Sequence, residues 1–269
     1  MSEQNDFTMA FQDSADQIPL VLIHGFPLDS TLWEMQFQGL EGMARVIAPD
    51  LRGHGRSDNP AGPYSMGMFA DDINGLLDHL GVYRPVILCG LSMGGYIAFE
   101  FYRRYPKRVA GLILTATRAA ADSKEAKANR DKAAESVKNN GIRPIVEAML
   151  PKLMAPASYE DEELVAYVRE MMEITSPEGM MGALQAMKNR PDSTPTLKKI
   201  KAPTLVIHGE EDQIIPLAEA EAMFESIEGS EMVIIENAGH LPPLEQPEKF
   251  NEAVEDFIES FFEDEEHEH

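Results

Sequence analysis

The chain has a single cysteine, Cys89, and a single tryptophan, Trp33. One thiol excludes an intramolecular disulfide and fits a reducing compartment. Basic residues are scarce: 23 Lys and Arg stand against 46 Asp and Glu, a net charge of −23 at pH 7. Such a surface repels nucleic acids and anionic membranes, so neither is an expected partner, and a small-molecule substrate is the better fit. Long hydrophobic runs are missing too. The longest, such as Leu20 to Ile23 and Val86 to Cys89, are strand-length, far short of the roughly 20 residues that span a bilayer. The segment Met1 to Asp6 lacks the basic start and apolar centre of a secretory leader. A cytoplasmic protein with no membrane contact is the expectation.

What remains is ordinary for a folded globular chain: 269 residues, 43% apolar and 26% charged, enough for one large domain or one domain with an insertion. Six short apolar runs read as strands: Leu20 to Ile23, Arg45 to Ala48, Val86 to Cys89, Leu112 to Leu114, Thr204 to Ile207 and Met232 to Ile235. None alternates apolar with polar, which suits parallel strands buried on both faces. Helical patterns separate most of them, as at Phe69 to Leu80 and Tyr96 to Tyr105. The expected fold class is therefore α/β, a mostly parallel twisted sheet flanked by helices. From Arg118 to Pro195 no strand pattern occurs. Four helices are expected there, at Ser123 to Asn139, Ile142 to Leu150, Tyr159 to Glu173 and Pro177 to Asn189, with Pro151, Pro156 and Pro191 marking ends. The expected organisation is a core of 1–117 and 196–269 with an all-helical insertion of 118–195. A last helix is expected over Pro247 to Phe262, followed by a frayed acidic tail, Glu263 to His269.

Four motifs carry chemistry. Gly90-Leu91-Ser92-Met93-Gly94-Gly95 follows one strand and opens a helix, the context of a strained turn that lifts a serine hydroxyl clear of the sheet. The glycines leave room for the sharp turn, and the helix amino terminus favours developing negative charge. His24-Gly25-Phe26-Pro27 follows another strand. A tetrahedral intermediate needs two N–H donors; the amides of Phe26 and Met93 are placed to supply them, whereas Pro27 has none to give. Gly209-Glu210-Glu211-Asp212 and Asn237-Ala238-Gly239-His240 follow the fifth and sixth strands. In open parallel sheets, sites assemble at those carboxyl ends. Ser92, Asp212 and His240 then make a nucleophile, an orienting acid and a base in the chain order Ser, Asp, His. Glu210 and Glu211 are the alternatives to Asp212. His54 and His208 read as structural, His79 as a surface residue, and Cys89 as a small buried hydrophobe.

Together with Pro49-Asp50-Leu51-Arg52-Gly53-His54-Gly55-Arg56-Ser57, these motifs resemble the α/β-hydrolase family along nearly the whole chain, most closely its small esterases and 3-oxoadipate enol-lactonase-like members. The resemblance implies a helical lid (cap) at Arg118 to Pro195, no metal and no organic cofactor. It implies Ser92, Asp212 and His240 as a triad, with the Phe26 and Met93 amides as oxyanion hole. Relatives usually begin with a two-stranded hairpin. Only Phe7 to Phe11 precedes Leu20 here, so the first strand is expected to be absent, leaving that edge frayed or covered by a second copy in a homo-oligomer.

The expected activity is hydrolysis of a carboxylic ester through an acyl-serine intermediate. Lactone hydrolysis and a perhydrolase side activity need the same three residues, and a non-catalytic binding protein could share the scaffold. Seven of the sixteen methionines, Met149, Met154, Met171, Met172, Met180, Met181 and Met187, fall in the helical insertion. Packing accounts for most of them. Phe26, Trp33, Met93, Met149, Met154 and Met180 are the candidate pocket walls for an apolar substrate, and surface ion pairs the expected role of Arg118, Arg130, Arg143, Arg169 and Arg190.

Overall fold

A computed structural model describes residues 7–14 and 18–267, with side chains through residue 261. Seven strands form one sheet: β1 (Phe11–Asp13), β2 (Ile18–Ile23), β3 (Ala44–Pro49), β4 (Val86–Leu91), β5 (Val109–Thr115), β6 (Thr204–Gly209) and β7 (Glu231–Ile235). Their spatial order is β1-β3-β2-β4-β5-β6-β7. Every pairing is parallel except β1 with β3, which is antiparallel. All six expected strands are present. The seventh, Phe11–Asp13, is an addition: three half-buried residues with no apolar run to announce them. Any strand before it belongs to residues 1–6, outside those described.

The helices are α1 (Glu34–Gly39), α2 (Met66–His79), α3 (Met93–Arg104), α4 (Lys124–Asn140), α5 (Arg143–Leu153), α6 (Glu162–Ile174), α7 (Pro177–Lys188), α8 (Thr194–Leu197), α9 (Leu217–Ser226), α10 (Pro242–Glu245) and α11 (Pro247–His267). Serine side chains cap several at the amino end: Ser65 on α2, Ser123 on α4 and Ser176 on α7. Pro151 does not end α5, as expected, but lies inside it. The helix α11 continues through His267, past the expected end at Phe262. No helix among the described residues is long and apolar enough to cross a membrane.

Alternation along the strands splits the core into two layers. Val21, Ile23, Leu88, Leu112 and Leu114 face α2, α3 and α7, while Leu20, Leu22, Ile87, Cys89 and Ile113 face α11 and the Trp33 region. Both faces of the central strands are sealed, which explains the continuous apolar runs. Strand β7, at the edge, is the exception, with Ile234 41% exposed. Between β5 and β6 the described backbone holds only helices, α4 to α8, and the ends of the insertion meet where Ser193 N–H donates to Ala119 O at 2.9 Å.

Candidate active site

The middle strand, β4, ends at Leu91 and the chain turns at once into α3. Ser92 sits in that turn with φ 56° and ψ −109°, a strained conformation costing about 1–3 kcal/mol. Two other non-glycine residues with positive φ, Ala116 and Asn237, follow β5 and β7. Strain therefore gathers at one edge of the sheet, the carboxyl ends of the parallel strands. Neighbouring chain ends are stitched together there: Ser92 N–H donates to Thr115 O, Ala116 N–H to Ile207 O, and Glu210 N–H to Ile235 O, at 2.9, 2.9 and 3.0 Å. Thr117 Oγ1 donates to Ser92 O at 2.7 Å. At Gly94 the approach is so close that a Cβ would overlap Ile23 O.

The loop after β2 lies against this turn, since a Cβ on Gly25 would stand 3.3 Å from Ser92 Cβ. Phe26 N–H, one residue on, donates to no protein acceptor among the described residues. Met93 N–H opens α3, where a helix has no carbonyl of its own to offer. His24 steadies the loop: its Nδ1 donates to Gly25 O at 2.9 Å and its Nε2 accepts from Leu51 N–H at 3.0 Å.

Asp212 and His240 come together as expected. His240 Nδ1 donates to Asp212 Oδ2 at 2.7 Å. Asp212 Oδ1 accepts from Ile214 N–H at 2.7 Å and Ile215 N–H at 3.0 Å, and its side chain has no exposed surface. Burial alone would raise its pKa. The charge and hydrogen bond of His240 and the amides of Ile215 and Ile214 more than offset burial and hold the carboxyl below the ordinary aspartate range. With an ionised acceptor on Nδ1, the proton of neutral His240 is fixed there, and Nε2 keeps its lone pair. Glu210 is exposed, and neither it nor Glu211 bonds to His240. No hydrogen bond joins the Ser92 hydroxyl to another described residue, and it lies at the same edge of the sheet as His240.

One residue that the sequence reading missed holds the His240 loop. Glu245 Oε1 accepts from Gly239 N–H at 2.8 Å and Leu241 N–H at 3.0 Å, and Oε2 accepts from Ala155 N–H at 2.7 Å. His240 N–H itself donates to Leu153 O at 3.0 Å. The helical insertion is thus pinned to the loop on both sides of the imidazole. Position five after His240, within a Pro-Pro-Leu-Glu turn, was the available signal.

A cavity of about 310 Å³ is walled by Phe26 together with Ala126, Arg130, Ile145, Met149 and Leu184 from α4, α5 and α7. Of the six expected wall residues, Phe26 and Met149 are in it. Trp33, Met93, Met154 and Met180 have no accessible surface, so their expected place in the wall is corrected. The Trp33 ring packs on Phe250 at 6.1 Å, and the Met154 backbone is packed against Gly239. Arg130 and Arg190 share Asp122 at 2.7 and 2.6 Å, and Arg169 pairs with Glu147 at 2.7 Å. A larger hollow, about 740 Å³, is bounded by Phe7, Arg52, Met68 and His79 and touches none of the candidate residues. Cys89 is buried, its thiol pushed up to about 12 by burial, so it is no nucleophile. No group of three or more His, Cys, Asp or Glu among the described residues could hold a metal ion.

The model of the alpha/beta hydrolase fold matches residues 18–247. The chain is 32% identical to 3-oxoadipate enol-lactonase 2 of Acinetobacter baylyi, over 92% of this chain and 91% of that protein. Among solved structures, a thermophilic esterase from Thermogutta terrifontis with malate bound superposes with a TM-score of 0.93 at 44% identity, covering 96% of each chain. An enol-lactonase from Burkholderia xenovorans gives a TM-score of 0.87 at 28% identity, covering 94% of this chain and 97% of that one. Sheet order, the strained serine and this likeness over almost its full length agree: the chain belongs to the α/β-hydrolase fold family, as a hydrolase of the esterase and enol-lactonase type.

Proposed function

We propose that the protein hydrolyses carboxylic esters through an acyl-serine intermediate, with Ser92 as nucleophile, His240 as base and Asp212 as the acid that orients it. The observation that carries the reading is the 2.7 Å bond from His240 Nδ1 to a fully buried Asp212 carboxylate, on the sheet edge where Ser92 is held in a strained turn. In this reading His240 Nε2 takes the Ser92 proton as Oγ attacks the ester carbonyl. The Phe26 and Met93 amides receive the oxyanion. The protonated imidazole, steadied by Asp212, then gives its proton to the departing alcohol. Water repeats the cycle and releases the acid. The helices of 118–195 act as a lid, and the cavity between α4, α5, α7 and Phe26 takes the apolar arm of the substrate.

Two measurements test this. Ser92→Ala is expected to abolish p-nitrophenyl butyrate turnover, by about 10⁴-fold or more, and to abolish labelling by a fluorophosphonate probe. Unchanged turnover, or an unlabelled wild-type protein, refutes it. The likeness to enol-lactonases supports a second substrate class for the same residues. Comparing kcat/KM on short acyl esters and on lactones separates the two.

A further inference from the structure

A second buried imidazole lies beside the acid of the proposed triad. His208, in β6, is 1% exposed. Its Nε2 stands 3.0 Å from Ile215 O and 3.8 Å from Asp212 Oδ2, and its Nδ1 is buried with no hydrogen-bond partner. A carbonyl oxygen only accepts, so the proton of His208 is on Nε2. Burial lowers its pKa; Asp212 and the Ile215 carbonyl work against that, and His240 works with it. The ring is therefore neutral and stays so when His240 takes up a proton.

We propose that His208 is a positioning residue for Asp212, acting through the turn from Asp212 to Ile215; this rests on the role given to Asp212 above. Ile215 is held through both of its backbone polar groups. Its N–H donates to Asp212 Oδ1, and its C=O accepts from His208. Ile215 is 1% exposed, so no solvent replaces the His208 donor if it is lost, and the buried carbonyl is left unpaired. Relaxing that carbonyl moves the amides that orient the carboxylate, and with them the Asp212 oxygen that holds His240. The His208 N–H is too far from Oδ2, at 3.8 Å, for a hydrogen bond. It leaves Oδ2 to His240, which has the short bond. The charged groups around this turn are Asp212 itself, His240 from the loop after β7, and Arg118, whose guanidinium reaches Ile214 O at 3.3 Å and Glu219 at 3.7 Å.

The test compares His208→Leu, which removes the donor, with His208→Gln, whose side-chain N–H reaches the Nε2 position, and His208→Asn, whose N–H falls short of it. Each is assayed with p-nitrophenyl butyrate and by its rate of fluorophosphonate labelling, with rates expressed per titrated serine so that unfolded protein does not count. The expected result is a fall in kcat of about 10²-fold for His208→Leu and His208→Asn, the scale of a slightly misplaced catalytic group. KM should stay within about twofold, and the acid limb of kcat/KM should move to lower pH as the Asp212–His240 coupling weakens. His208→Gln should recover most of the rate and the wild-type limb. If per-serine kcat and the acid limb are unchanged in His208→Leu, or if His208→Gln behaves like His208→Leu, the proposal is wrong and His208 only fills space. Should His208→Leu fail to fold, the contrast of Gln with Asn decides alone. A Ser92→Ala protein that keeps its activity would instead overturn the function on which this rests.

Discussion

The two halves of the candidate site are built by different means. Around Ser92, just past β4 in the middle of the sheet, position comes from the backbone: a serine with positive φ, carbonyls hydrogen-bonded across adjacent strand ends, and a glycine packed against backbone at Gly94. Around Asp212 and His240, toward the edge strand β7, position comes from side chains on loops: Glu245 across three amides, His208 on the Ile215 carbonyl, Asp212 itself on two N–H groups. The first half fails when volume is added. The second fails when a hydrogen bond or a charge is removed. A turn embedded in a sealed sheet has no room to adjust, whereas a loop at the edge has room and must be tied.

Adding one methyl group at Gly94 is the harshest way to break the first half. The new Cβ would run into the Ile23 carbonyl, and backbone cannot step aside as a flexible side chain would. Gly94→Ala is expected to cost about 4 kcal/mol or more, read as a fall in urea midpoint, with loss of esterase activity in whatever protein remains folded. The same change at Gly75 in α2, where a Cβ meets nothing within 4 Å, is the control and should be neutral or stabilising. Equal losses at both glycines would remove the distinction between a packed turn and an open helix face.

Acid probes a polar element within the backbone-built half. His24 and His54 are fully buried, 5.2 Å apart, beneath the Phe26 loop. Burial first, and then His24, lower the His54 pKa from 6.5 to about 3, while burial lowers that of His24. Both groups bind protons more readily when the chain is unfolded. Their stabilisation is therefore complete above pH 6.5 and is lost as the pH falls from 6.5 toward about 3. From His54 alone the loss at pH 5 is about 2 kcal/mol. Urea midpoints measured from pH 7 to pH 4.5 should fall for the wild type and fall less for His54→Gln. A wild-type midpoint that is flat or rises on acidification contradicts neutral buried imidazoles.

This division also explains which parts were legible in the sequence. A turn that only glycine can pack leaves glycines behind, and strands sealed on both faces leave apolar runs, so the sheet, Ser92, Phe26 and the Asp212–His240 pair could be read directly. Residues that tie loops together leave no such trace. His208 resembles any core histidine until its nitrogen is seen on the Ile215 carbonyl. Glu245 resembles any acid in the first turn of a helix. Trp33, Met93, Met154 and Met180 pack in the core and not in the pocket wall, which the sequence hides for a related reason. An apolar side chain at helical spacing serves equally well in a core layer or a cavity wall, and only the packing of neighbouring elements distinguishes them. Pro151 misled because a proline interrupts one hydrogen bond without ending a helix near its last turn. Phe11–Asp13 escaped because three residues carry no period.

Glu245 offers the mildest and sharpest test of the side-chain half. Its carboxylate holds the amides on either side of His240 and one at the end of α5. Replacing it with glutamine keeps the shape and one good acceptor. The second oxygen becomes an NH₂ group that must face an N–H donor. A hydrogen bond to a charged acceptor is worth more than one to a neutral acceptor, so Glu245→Gln is expected to cost about 1–2 kcal/mol of stability. Because the contact holds the loop and touches no substrate, the loss in kcat should be modest, about tenfold, and should arise from a less well-placed imidazole. The substitution leaves the Phe26 and Met93 amides in place, so labelling by a fluorophosphonate should slow by a similar factor without being abolished. If instead the variant keeps the full rate while losing stability, the loop is held in place by the backbone after all. The edge of the site would then be built like its centre.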